Sequence, residues 1–194
     1  RPYVTEIRAY LAAAWAMFLR RSDSADAFGS SPDNAKQSFA AAIVALPIYA
    51  VLLFIGPDAV VTLRSGVESA LIHFVFYVLL WTAWPFVAVV AAHLSGRRER
   101  YSHYLTALNW SMAIQASVWL TACMLTLTLG LEGSSARLTT VAAITIVALY
   151  HIHILREAMD LGTLQSLLIA MVNLFVYQVI VGMHHTALLQ QSRS

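Results

Sequence analysis

Charge is what this chain of 194 residues has least of. Asp, Glu, Lys and Arg together make up 11% of it, where a soluble domain carries about 25%. So few charges cannot cover a water-facing surface, and 59% of the residues are hydrophobic. Lipid must therefore cover much of the molecule, which sets soluble enzyme folds aside. Cysteine is nearly absent as well. The single Cys123 lies in an apolar run, so the chain has no internal disulfide and no paired-cysteine metal motif. No Walker loop, dinucleotide glycine pattern or nucleophile elbow occurs. A secretory signal is not legible either, because the first apolar stretch is amphipathic and lacks a cleavage site.

What the chain does have is long apolar runs. Five of them are long enough for a bilayer, which takes about 17–25 helical residues: Phe39–Ile55, Leu71–Ala92, Leu105–Leu129, Leu138–Leu155 and Leu164–Met183. Ser31, Pro32 and Asn34 precede the first as a cap and a first-turn proline would. Gly56-Pro57, Gly96, Gly130 and Gly162 punctuate the rest. The runs are continuous, without period-two alternation, and too long for strands. An open sheet would also leave backbone groups unsatisfied in lipid. The expected fold is all-α: a polytopic membrane protein of five transmembrane helices plus an N-terminal amphipathic interfacial helix, forming one membrane domain over 1–194.

That N-terminal helix is read from Pro2–Arg21. At 100° per residue, Val4, Ile7, Leu11, Trp15, Phe18 and Leu19 share one face. Thr5, Glu6, Ala9, Ala13 and Arg20 lie opposite. Two placements fit: along the membrane surface, or packed on the end of the bundle through the alanine-rich back. Residues 22–38, small and polar, are expected to be a flexible hinge before the bundle at 39–194. Pro47 and Pro85, inside the first two spans, are expected to bend them.

Basic residues give the orientation. With a cytoplasmic N-terminus, Arg1, Arg8, Arg20, Arg21, Lys36, Arg97, Arg98, Arg100 and Arg156 lie inside. Arg64, Arg137 and Arg193 lie outside, and the positive-inside rule favours that arrangement. The C-terminus then falls on the opposite side, and a bacterial inner membrane is the expected setting. Trp15, Phe18, Arg97, Arg98 and Arg100 are the expected membrane-interface residues. The run Gly96–Arg100 is too short for nucleic acid and suits anionic lipid. Tyr101 and Tyr104 suit the aromatic belt.

No acidic or basic residue lies deep in an expected span, which lowers the case for a proton pump or ion-coupled carrier. The histidines fall in two layers. His93, His103, His151 and His153 sit near the cytoplasmic boundary; His73, His184 and His185 sit near the other. Histidines from facing helices at one depth are the ligand set for haem, another pigment or a metal. Yet His151 and His153 are about 200° apart on a helix and point to nearly opposite faces. A shared site would need one of them with His93 or His103. Interfacial imidazoles with their polar tips near headgroups are the plainer reading. Among uncharged polar residues, Asn109, Gln115, Asn173 and Gln178 are expected to make polar contacts within the membrane. Hydrogen bonding between helices is their ordinary use, and lining a small-solute path is the sharper one.

Several stretches carry a family resemblance: "SFAAAIVALPIY" (Ser38–Tyr49), "WTAWP" (Trp81–Pro85), "GRRERYSHYLTALNW" (Gly96–Trp110) and "YHIHILREAMDLG" (Tyr150–Gly162). Together they resemble the bacterial branch of the Yip-type (Ypt-interacting protein-like) membrane family. The resemblance implies a cytoplasmic N-terminal segment followed by five helices. It implies no catalytic residues. The link of eukaryotic relatives to membrane traffic and small GTPases does not carry over to bacteria, which lack that machinery. The expected function is thus non-enzymatic: an accessory, assembly or membrane-organising subunit that binds membrane lipids and other integral membrane proteins, or itself. No catalytic residue, metal or resident cofactor is expected. The alternatives are a haem-, pigment- or quinone-binding protein using the histidines, and a small-solute channel or carrier.

Overall fold

The structure, a computed structural model, describes residues 2–21, 23–56 and 66–191. Among them every regular element is helical. The helices are α1 (Pro2–Phe18), α2 (Pro32–Gln37), α3 (Ala40–Ile55), α4 (Gly66–Leu94), α5 (Tyr101–Thr128), α6 (Gly133–Ala158) and α7 (Thr163–Gln191), with 3-10 turns at Ala25–Ala27 and Arg98–Arg100. Five segments are long and apolar enough to cross a membrane: Pro32–Ile55, Ser69–Leu94, Arg98–Thr128, Gly133–Ala158 and Thr163–Gln190. Their number is as expected, but most of the helices run further than the apolar runs did. Hydropathy marks the part that meets lipid. The helix itself continues until a cap stops it. Pro47 and Pro85 lie inside α3 and α4, which continue through them. Arg1, Arg64 and Arg193 of the orientation count lie outside the described residues, as does Pro57.

The stops are local chemistry. Gly96 takes a φ of +67°, and the Arg97 N–H reaches back to the Ala92 carbonyl at 2.8 Å, closing α4 as a left-handed glycine cap does. Gly130, at φ +58°, ends α5 in the same way. Asp160 is also left-handed, at +54°, but it is not glycine. Its carboxylate lies 3.2 Å from the Arg97 guanidinium. That ion pair joins the α4–α5 turn to the α6–α7 turn, so both lie at one end of the bundle.

α5 is the hub. It packs against α1, α2, α3, α4 and α6, while α7 closes against α4 and α6. The result is a ring of α4, α5, α6 and α7 with α3, α2 and α1 laid on the outside of α5. Between helices in lipid, close packing does much of the work that water-driven burial does elsewhere, and small residues permit it. Ala41, Ala88, Ala92, Ala107, Ala113 and Ala158 are all nearly inaccessible.

α1 is docked on the bundle. Ala13, Ala14 and Met17 form its buried face. Tyr10 stacks between Trp110, at 5.3 Å, and Phe28, at 6.2 Å. The ring of Phe18 meets Tyr150 edge-on. The apolar face expected to define this helix is split: Ile7, Leu11 and Phe18 lean on the core, whereas Trp15 and Leu19 are 51% and 46% exposed. Docking thus runs through a face between the two expected ones, with Ala9 of the back face and Trp15 of the apolar face both exposed. Within the hinge expected at 22–38, residues 23–38 are folded instead. Ser31 caps α2 by accepting from the Asn34 N–H at 3.1 Å. Ala25, Phe28, Ala35 and Ser38 are buried, because Tyr10 and α5 give them a surface to cover.

Candidate functional site

The polar side chains of the bundle concentrate at the end where α5 begins. From His103 to Ser111, nine consecutive residues are buried, so this helix has no free face for more than two turns. His103 Nε2 lies 3.0 Å from the Ala25 carbonyl and pins the 3-10 turn to α5. The Asn109 amide donates to Ser38 Oγ at 2.8 Å, and Ser38 Oγ donates to the Ala35 carbonyl at 2.7 Å. Tyr150 donates to the Ala14 carbonyl at 2.7 Å and exchanges a hydrogen bond of the same length with Ser111 Oγ. One phenol thereby ties α6 to both α1 and α5.

At the centre of the ring, His151 of α6 faces Tyr104 of α5 and Asn173 of α7. The Tyr104 hydroxyl is 3.1 Å from His151 Nε2, and the Asn173 amide approaches the same nitrogen. Trp84 of α4 flanks the imidazole with ring centres 6.5 Å apart. All four helices of the ring therefore meet at one histidine. This cluster escaped sequence reasoning because Tyr104, near a helix start, looks like an interface tyrosine. In the fold it is 1% exposed, since α5 enters the bundle already surrounded. The legible signal was the polar pair itself: a histidine and an asparagine inside otherwise apolar runs need partners.

The four histidines at this end of the bundle do not converge. His93 is exposed and accepts from the Arg98 guanidinium at 2.9 Å. His103 serves the Ala25 carbonyl, and His151 serves the central cluster. His153 turns the other way from His151, as helical spacing requires, with Nδ1 3.8 Å from Glu157 Oε1. The opposite layer does make a pair: His184 Nε2 of α7 lies 2.8 Å from His73 Nδ1 of α4, with Phe76 against the His184 ring. Among the described residues no three His, Cys, Asp or Glu side chains are grouped so as to hold a metal.

The four polar residues of the spans separate likewise. Asn109 and Asn173 are used inside the bundle. Gln115 is half-buried, with its Nε2 among the buried atoms lacking a partner. Among the described residues Gln178 makes no side-chain hydrogen bond, and it lies exposed on the outer side of α7. A groove of about 430 Å³ at the far end is lined by Phe76, Gly182, Met183, Thr186, Ala187 and Gln190, and a smaller one near α1 by Phe18, Arg20, Ile146, Leu149, Tyr150 and His153. None of the four lines either groove, so the two do not form the expected solute path. Of the interface residues, Trp15 points outward, Phe18 packs on Tyr150, Arg97 and Arg98 hold Asp160 and His93, and Arg100 is half-exposed. Comparison with protein-family models, with curated proteins and with solved structures finds no match to this chain.

Proposed function

We propose that this chain is a non-enzymatic membrane protein that works by associating with another membrane-spanning helix through the outer face of α7. Gln178 carries the reading. It stands one residue past the midpoint of Thr163–Gln191, a helix about 43 Å long, and so falls within a hydrocarbon layer about 30 Å thick. At that depth its side chain cannot reach the headgroups. Among the described residues its amide has no hydrogen-bond partner, and it is exposed. Leaving such a group unpaired in an apolar medium costs about 1–3 kcal/mol on protein scales. A second helix would satisfy it.

The neighbours fit the same use. Leu164, Leu168, Met171, Phe175, Gln178 and Gly182 follow one another at alternating spacings of four and three, and all are exposed. That is the seam of a helix pair, in which one polar residue sets register. Gly182 has open space where a side chain would stand, so a partner backbone can come close. We place the end bearing Lys36, Arg97 and Arg156 in the cytoplasm by the positive-inside rule. The Yip-type resemblance enters this proposal for its architecture alone.

Gentle extraction from the native membrane, followed by size analysis and identification of what co-migrates, tests the proposal. The wild type should carry a membrane-protein partner or a second copy, and Gln178→Leu should lose it with the fold intact. A wild type that always runs alone, or a Gln178→Leu variant that keeps its partner in full, would overturn it.

A further inference from the structure

The groove between α1 and α6 has a chemistry of its own. Its lining joins the rings of Phe18 and Tyr150, the aliphatic Ile146 and Leu149, and the polar Arg20 and His153. At about 180 Å³ it is smaller than the roughly 300–1,000 Å³ of pockets that enclose small molecules. It can grip part of a ligand while the remainder lies outside. Ile146 and Leu149 are 43% and 48% exposed, so what lies outside the groove meets an apolar surface. His153 stands five residues from the end of α6, about 8 Å along the axis, which is headgroup depth.

Two further observations concern the two polar residues. His153 Nε2 is buried and has no hydrogen-bond partner; its Nδ1 side faces Glu157. Arg20 has a φ of +54°. The Arg20 N–H bonds the Met17 carbonyl at 2.9 Å and the Arg21 N–H bonds the Ala16 carbonyl at 3.0 Å, so Arg20 occupies the left-handed cap position where glycine is the unstrained choice. A side chain there costs about 1–2 kcal/mol. An arginine kept in a conformation that glycine would adopt freely, lining a groove with an unpaired imidazole nitrogen, is placed for a ligand.

We infer that this groove binds one anionic phospholipid. The Arg20 guanidinium takes the phosphodiester, His153 donates from its unpartnered Nε2 to a second phosphate oxygen, and an acyl chain lies along Leu149 and Ile146. Arg156, one turn beyond His153, adds positive potential that offsets Glu157. The site rests on the membrane reading but not on the α7 seam, and either can fail alone.

Native mass spectrometry of the detergent-solubilised full chain, titrated with phosphatidylglycerol and with phosphatidylcholine, tests it. The wild type should retain phosphatidylglycerol preferentially. Arg20→Gly should reduce that preference about fivefold, the worth of one cation near a headgroup, while leaving thermal stability equal or higher because glycine suits the cap. His153→Leu should reduce it further in the double variant. Arg137→Gln, at the other end of the bundle, should leave it unchanged. Equal retention of the two lipids by the wild type, an unaltered preference in Arg20→Gly, an equal loss in Arg137→Gln, or displacement of the lipid by inorganic phosphate would each overturn the assignment.

Discussion

The two halves of α5 are made of similar residues and put most of them to different use. In the first half, Asn109, Ser111 and Tyr104 bond to other elements, while Thr106 turns back on the Ser102 carbonyl of its own helix at 2.8 Å. In the second half, Ser117, Thr121, Thr126 and Thr128 each donate to the carbonyl four residues earlier in their own helix, at 2.7–2.9 Å. The cause is what surrounds each half. At the entrance, α1, the 3-10 turn and α2 lie over α5, so every face is covered and Asn109, Ser111 and Tyr104 find partners across interfaces. Further along, much of the helix surface is open to lipid and offers no partner. A hydroxyl there satisfies itself on its own backbone. Polar residues in a membrane helix thus cross-link a bundle only where a neighbour is present to receive them.

Substitutions can break that contrast, beginning with the helix that creates it. Met17→Ala removes a fully buried side chain from beneath α1 and should cost about 2–5 kcal/mol. Amide hydrogen exchange should rise in α1 and in the first half of α5, with α7 unchanged. Asn173→Leu strips the central histidine of one partner and should cost about 1–3 kcal/mol, visible as a lower unfolding temperature in detergent. Tyr150→Phe removes a hydroxyl shared by α1 and α5, for about 1 kcal/mol, and should loosen α1 by the same exchange measurement. Thr121→Val, in the second half, should change stability by less than about 0.5 kcal/mol, because the lost bond lies within one helix. A Thr121→Val cost as large as that of Asn173→Leu would erase the distinction between the halves.

How much of this was legible follows from the same physics. Long apolar runs need no partner to be recognised, so the number of spans and their approximate bounds could be read directly. The opposed directions of His151 and His153 follow from helix geometry alone. What could not be read was contact between helices. Tyr104 carries no mark that separates a belt residue from a core residue, and Ser38 gives no sign that Asn109, far along the chain, will reach it. The segment 22–38 misled for a related reason: Phe28 is buried only because Tyr10 of α1 stacks on it, and Ala35 only because α2 packs on α5. For Gln178 the sequence gives a polar residue in a span but not the side of the helix it stands on, and only the packed ring reveals which side of α7 is left outside.

The outer face of α7 is the claim on which the functional reading depends. A photoreactive residue placed at position 178, with another at Phe86 on the exposed side of α4, would compare the two surfaces in the native membrane. Position 178 should give protein adducts and position 86 lipid adducts alone. Lipid adducts alone from both positions would contradict the claim.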